Sequence, residues 1–345
     1  SFHGMASKSG SQTVANCASC HGFHDILPST DEKSMTNPKN LPQMCGQCHP
    51  GAGSRFAIGT IHWTEGGQEP TPVRYTRLIY LSLIPATLGL MFLHHLGDFI
   101  RKFAALRGRV AVMMPKRDHR LAGELRMLPF ERLQHALLAV SFIVLGWTGF
   151  ALKYPDTWWA MPLVAYETAW PVRGTVHRVA AVIFTICSVM HLVSLIVSKP
   201  LREHWKTMIP KVRDIREGMA MMAYNMGLRK TKPHVSAHGY IEKVEYWAVV
   251  WGALVMGLTG FLLWFNNWSL AFLPKVWLDV ATAIHFYEAV LACAAIVVWH
   301  FYTVIFDPDV YPMDTAWLTG KTVRKREPEH HGHGGGPEHN PSAGD

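Results

Sequence analysis

The sequence predicts an all-α membrane protein: five transmembrane helices, the last four forming a core, with a small loop-rich domain ahead of them. Three observations carry this. Five apolar segments each approach the roughly 20 residues that a bilayer requires. Basic residues are gathered in two of the loops that join these segments. Residues 1 to about 70 are poor in apolar residues, rich in Gly, Pro and Ser, and sustain no helical period. The 345 residues are 49% hydrophobic and 17% charged, against roughly 25% charged in a soluble domain, which excludes general disorder. The net charge of +8 falls in blocks between apolar runs. That is the pattern of basic loops on one side of a membrane, not of a nucleic-acid binder.

In the first segment, four of the six cysteines fall in two C-x-x-C-H strings, Cys17-Ala-Ser-Cys20-His21 and Cys45-Gly-Gln-Cys48-His49. This string attaches c-type haem: two thiols bond the porphyrin edge and the following His ligates the iron. Neither a zinc site nor a redox dithiol explains a His directly after each pair. The expectation is two covalent c haems, which supply the core that so short a segment lacks. Ser1 is not Met, so a signal peptide or further haem-binding sequence upstream would lie outside this chain. Cys187 and Cys293 lie in apolar helices and read as packing residues.

The first apolar segment, about Tyr75 to Ile100, contains Pro85, which is expected to kink it. The second runs about Phe130 to Leu152, the third Thr175 to Ser198, the fourth Val244 to Phe265 and the fifth Val280 to Phe306. Residues 101–132 hold nine Lys/Arg and 199–245 hold ten, whereas 153–172 has only Lys153 and 266–280 only Lys275. The positive-inside rule places the two basic loops, and the tail with Lys321, Arg324, Lys325 and Arg326, in the cytoplasm. Residues 1–72 are then extracytoplasmic, as c-haem attachment requires. The division expected is 1–72, a di-haem cytochrome c domain; 73–128, the first transmembrane helix and a cytoplasmic basic loop; 129–310, a four-helix di-haem cytochrome b domain; and 311–345, a cytoplasmic, largely disordered tail. The location expected is a bacterial inner membrane. Tail residues His330, His331 and His333 are a minor metal-site candidate. The second and fourth helices echo each other, Leu145-Gly-Trp-Thr-Gly-Phe150 against Met256-Gly-Leu-Thr-Gly-Phe261. Such glycines leave room for close helix contact or a porphyrin.

Ionisable residues in spanning helices are costly and point to function. The third helix carries His177 and His191, the fifth His285 and His300. Separations of 14 and 15 residues are about 21 and 22 Å along a helix and keep each pair on one face. One His therefore lies near each membrane surface, as two stacked b haems require. The second helix adds His135 near its cytoplasmic end. Depth pairs His177 with His285 near the outer face and leaves His135 and His191 competing to partner His300 near the inner face. An iron with two imidazole ligands has no open position, so its chemistry is electron transfer.

The strings Arg132-Leu-Gln-His135 and Val176-His177-Arg178, with His285 and His300, resemble the di-haem cytochrome b subunits of formate dehydrogenases and nickel-iron hydrogenases. The resemblance covers about residues 130–310. It implies a four-helix haem-binding core, with His135 and His300 on the inner haem, His177 and His285 on the outer haem, and His191 as the alternative inner ligand. The extra first helix and the fused N-terminal segment depart from that family. The segment itself resembles multihaem c-type cytochromes in Phe2-His3-Gly4, Cys20-His21-Gly22-Phe23-His24 and Ile61-His62. That resemblance makes His3, His24 and His62 the distal candidates beside His21 and His49.

Arg132 and Arg178, next to the ligand histidines, are candidates for haem propionates. Glu288, one turn beyond His285, is a candidate for proton handling. His94, His95 and Asp98, at the inner end of the first helix, are candidates to line a quinone or menaquinone pocket. The function expected is that of a cytochrome b/c subunit in a quinone-linked oxidoreductase complex. It would pass electrons between the membrane quinone pool and an extracytoplasmic redox protein or multihaem cytochrome. The alternatives are a membrane anchor and electron acceptor for an external dehydrogenase or hydrogenase, and a haem sensor or scaffold without turnover. No nucleophile–base pair or phosphate loop points to hydrolysis.

Overall fold

The computed structural model describes residues 3, 14–49, 69–110, 125–164, 172–233 and 239–322. Five helices in it are long and apolar enough to cross a membrane: α1 (Thr71–Val110), α2 (Pro129–Lys153), α3 (Val172–Val197), α4 (Tyr240–Trp264) and α5, which starts as an α-helix over Lys275–Ala295. The chain of α5 continues through two π-helical turns, Ile296–His300 and Tyr302–Phe306, so the whole span is Lys275–Phe306. Among the described residues no strand forms beyond one isolated bridge, Leu125 to Lys321. The fold is all-α, as the apolar runs predict.

The structure departs from the sequence reading in three places. α1 runs 40 residues and stays helical through Pro85. At 1.5 Å per residue it is about 60 Å long, twice the roughly 30 Å of a bilayer core. The charges after Asp98 end the apolar run, but Arg, Lys, Ala and Leu are good helix formers and carry the helix onward. The basic loop between α3 and α4 also holds two short helices, Lys199–Lys206 and Val212–Asn225. The first is capped by Ser198, whose hydroxyl accepts from Leu201 N. Residues 311–322, expected to belong to a disordered tail, meet the start of α2: Arg126 N and Met127 N both donate to Gly320 O. The tail from 323 onward lies outside the described residues.

α2 packs along α3, α4 along α5, and α1 along the far side of α5. Between the α2–α3 and α4–α5 hairpins there is no comparably extended backbone packing among the described residues. That leaves a seam through the bundle. One end, called upper below, carries the N-terminal segment: His49 Nδ1 lies 2.9 Å from Asn267 Oδ1 in the α4–α5 connection. The lower end carries the basic loops. There Met221, Tyr240 and Trp299 form a buried cluster joining Val212–Asn225, α4 and α5, with Met91 of α1 packed against it. Gly97 makes that junction possible, because a Cβ there would lie 2.7 Å from Asn225 O. Asn225 Nδ2 in turn donates to His94 O at 3.2 Å.

Candidate haem-binding site

Histidines meet in two places along the seam. Near the upper end the His177 and His285 rings are 6.4 Å apart between centres, inclined at 64°. Near the lower end the His135 and His300 rings are 6.3 Å apart, inclined at 47°. Two metal–imidazole bonds of about 2.0 Å, with a further ~1.1 Å from each nitrogen to its ring centre, place two ring centres about 6.2 Å apart. Both pairs therefore stand at the separation that one shared iron sets, and the residues fit two bis-imidazole haems. No group of three or more metal-ligating side chains gathers among the described residues, and a porphyrin-bound iron needs only two from the protein.

The upper histidines are held alike. Thr148 Oγ1 lies 2.8 Å from His177 Nδ1 and Thr259 Oγ1 lies 2.8 Å from His285 Nδ1. Each hydroxyl also donates to the carbonyl four residues back, Val144 O and Val255 O, both at 2.7 Å. These threonines are the fourth residues of the two echoed strings, and the glycines after them sit against the same rings. A Cβ on Gly149 would lie 3.5 Å from His177 Cε1, and one on Gly260 3.4 Å from His285 Cε1. The echo was legible in the sequence; its contact with the histidines was not.

The lower pair is set differently. His300 Nδ1 faces Glu245 Oε2 at 3.4 Å, and Glu245 Oε1 accepts from Thr303 Oγ1 at 3.0 Å. His135 Nδ1 is buried with no hydrogen-bond partner. Beside it, the Cys187 thiol donates to Gln134 O at 3.3 Å, tying α3 to α2. His191 is brought to neither pair. Its Nε2 lies 2.8 Å from the Tyr246 hydroxyl, and that oxygen also accepts from Trp205 Nε1 at 2.7 Å. The Tyr246 hydroxyl thus joins His191 to Trp205.

The two arginines lie elsewhere than on a shared site. Arg132 Nη1 donates to Leu318 O, and the Arg178 guanidinium lies 5.7 Å from the centre of the Trp264 ring. Glu288 is buried and accepts from Tyr80 Oη at 2.8 Å, joining α5 to α1.

His94, His95 and Asp98 come together with residues that the sequence reading did not single out. His94 Nε2 lies 2.9 Å from Tyr240 Oη. His95 packs on Trp299 and Tyr302, with ring centres 4.4 and 4.2 Å apart. Its Nε2 is buried without a hydrogen-bond partner. Tyr302 Oη donates to Asp98 Oδ2 at 2.7 Å, and Lys102 Nζ bridges Asp98 (2.7 Å), Asp307 (2.8 Å) and Asp309 (3.2 Å). Phe92, Leu96, Phe99, Phe306, His95 and Tyr302 border a cavity of about 330 Å3. The π-helical turns of α5 contribute Trp299, His300 and Tyr302 to this end, and π turns recur at functional sites.

In the N-terminal segment, helix Cys17–His21 is capped by Asn16, whose Oδ1 accepts from Ser19 N at 3.0 Å. Helical spacing puts Cys17, Cys20 and His21 on one side. No disulfide links any of the six cysteines. Burial and then the neighbouring cysteines push the Cys20 and Cys45 thiols up, so the two strings lie side by side. The His3 and His49 rings are 6.0 Å apart. His24 is described but no contact joins it to His21 or His49; His62 and the tail histidines lie outside the described residues.

The sequence matches the prokaryotic cytochrome b561 family over residues 126–313, more than half of the chain and the whole of α2–α5. No curated protein and no solved structure matches it.

Proposed function

Because this chain belongs to the prokaryotic cytochrome b561 family, as a membrane electron-transfer cytochrome that binds b haem, we propose that it passes electrons between the quinone pool and an extracytoplasmic redox partner. The observation that carries this is the pair of histidine couples at two depths of one bundle, each at the separation of a shared iron. Haem supplies reversible one-electron chemistry there; the chain supplies ligands, spacing and a dry seam. In this reading His177 and His285 hold the outer b haem and His135 and His300 the inner one. Cys17, Cys20 and His21, and Cys45, Cys48 and His49, hold two c haems, with His3 opposite His49. The contact from His49 to Asn267 supports putting that second c site at the upper end of the bundle. The upper end is then the extracytoplasmic one, and the basic loops lie in the cytoplasm of a bacterial inner membrane.

The lower cavity suits a quinone. Its walls are aromatic and aliphatic, and its polar groups, His95 and Tyr302, lie on one side, the composition of a small-molecule site. Tyr302 lies within one helical turn of His300 along α5 and faces α1, so a quinone head group there would lie at the depth of the inner haem. Asp98, Lys102 and Asp307 continue from Tyr302 as a hydrogen-bonded chain toward the basic loops. They give the quinone's protons a path to the cytoplasmic side.

The test is anaerobic addition of a menaquinol analogue to the purified protein in nanodiscs, with absorbance followed separately in the b and c bands. Reduction of b haem, then c haem, sensitive to a quinone-site inhibitor and slowed in His95→Leu, is the expected result. Unreduced b haem that accepts electrons from pre-reduced c haem would overturn this direction of flow and favour an external electron donor. Absence of spectroscopic c haem would remove the N-terminal half of the proposal.

A further inference from the structure

The outer histidines share a device that no other described histidine of the bundle has. A threonine hydroxyl owns one proton, and both Thr148 and Thr259 give theirs to the preceding turn of their own helix, at 2.7 Å. What each presents to the imidazole is therefore an acceptor, at 2.8 Å from Nδ1. An acceptor there keeps the ring proton on Nδ1 and leaves the Nε2 lone pair free, and the partner of one ring nitrogen fixes the role of the other. It also fixes the rotation of each ring. Because Gly149 and Gly260 carry no Cβ, the Cε1–Nδ1 edge of each ring comes close against the helix that holds the threonine. The two halves repeat the arrangement independently, from α2 to α3 and from α4 to α5. At the inner site one ligand faces a carboxylate at 3.4 Å and the other has no Nδ1 partner.

We propose that Thr148 and Thr259 are positioning residues of the outer haem, holding His177 and His285 as Nε2 ligands and setting the potential of that haem apart from the inner one. The proposal rests on reading His177 and His285 as ligands. An Nδ1–H that donates makes the imidazole a more basic ligand, which favours ferric iron. Losing the acceptor moves the outer potential positive and leaves the inner potential where it was.

The experiment uses the full haem-loaded chain in nanodiscs, comparing Thr148→Val, Thr259→Val and the two Thr→Ser variants. Each is read by potentiometric titration in the b band, by the low-spin electron paramagnetic resonance of the ferric haems, and by b haem per protein. His285→Ala identifies the outer component. The valines are expected to shift that component positive, change its resonance and weaken haem retention about 10- to 100-fold, while the serines match the parent. Loss of the outer haem in the valines with retention in the serines supports the proposal equally. Parental potentials and spectra in all four variants overturn it. Equal haem loss in serine and valine variants also overturns it, because the threonines would then only fill space. If His285→Ala keeps both b haems, the ligand reading fails, which is a separate outcome.

Discussion

Exchanging the two histidines that competed for the inner haem gives the sharpest test of the site. His135 faces His300 across the seam with ring centres 6.3 Å apart, whereas His191 Nε2 is hydrogen-bonded with the Tyr246 hydroxyl at 2.8 Å. In the proposed assignment, replacing His135 by Ala removes one of the two residues that would hold the inner haem. The inner b component should disappear, taking non-covalent haem from two per chain to one while the outer component stays. Replacing His191 by Ala removes a hydrogen bond worth about 0.6 kcal/mol on average and at most about 1.7 within a membrane bundle, plus the loss of ring packing. The Tyr246 hydroxyl keeps its bond from Trp205 Nε1. The expected result is two b haems, unshifted inner potential and a melting temperature lowered by a few degrees. Haem extraction and potentiometric titration of the two variants read this directly. A His191→Ala protein with one b haem, or a His135→Ala protein with two, would refute the assignment of the inner pair.

Gly97→Ala should destabilise the lower end by about 1–3 kcal/mol, since its Cβ would lie 2.7 Å from a backbone oxygen; thermal melts in detergent check it. Lys243 and Asp214 form a buried ion pair, 6% and 8% exposed with both carboxylate oxygens at 2.8 Å. Lys243→Met alone should cost about 3–5 kcal/mol, and adding Asp214→Leu should recover most of it, as chemical denaturation would show. The hydrogen bond that His204 Nδ1 donates to Glu131 Oε1 raises the His204 pKa, overcoming its partial burial. A raised pKa stabilises the fold fully below the unfolded value of about 6.5 and loses that contribution as pH rises through the folded value. Melting temperature should therefore fall on going from below pH 6.5 to above the folded pKa, and Glu131→Gln should flatten that dependence.

The spans and the histidines were legible because both rest on spacing: apolar length marks a crossing, and intervals of 14 and 15 residues mark two depths on one face. What was not legible depends on partners from other helices. Arg132 and Arg178 adjoin ligands in sequence, yet their guanidinium groups go to the Leu318 carbonyl and the Trp264 ring. Thr148 and Thr259 were visible only as members of an echo. Nothing in an apolar pattern announces which threonine will face a ring 29 or 26 residues further on. The extension of α1 to Val110 and the helices in the basic loop were hidden because charge ends an apolar signal without ending helical propensity.

The π-helical turns of α5 explain why the two histidine intervals differ and what became of His191. The echoed strings stand 111 positions apart, and that offset carries His135 of α2 onto Tyr246 of α4. On the partner helices, His177 matches His285, and 14 residues further on from each lie His191 and Trp299. α5 departs from the α-helix at Ile296, and a π turn spends one more residue than an α turn. The extra residue makes His300, not Trp299, the counterpart of His191. The two hairpins therefore present equivalent pairs at the lower end: His135 with His300, and Tyr246 with His191. Thr148–His177 and Thr259–His285 are likewise equivalent at the upper end, where they meet in one place. A single substitution of character, phenol for imidazole on α4, accounts for a bundle with a symmetric upper site and an asymmetric lower one. On the side of Tyr246 the histidine is spent on a hydrogen bond. On the other side the displaced register brings His300, Tyr302 and Trp299 to face His135 and α1, which is where the cavity and the proton-bearing side chains collect.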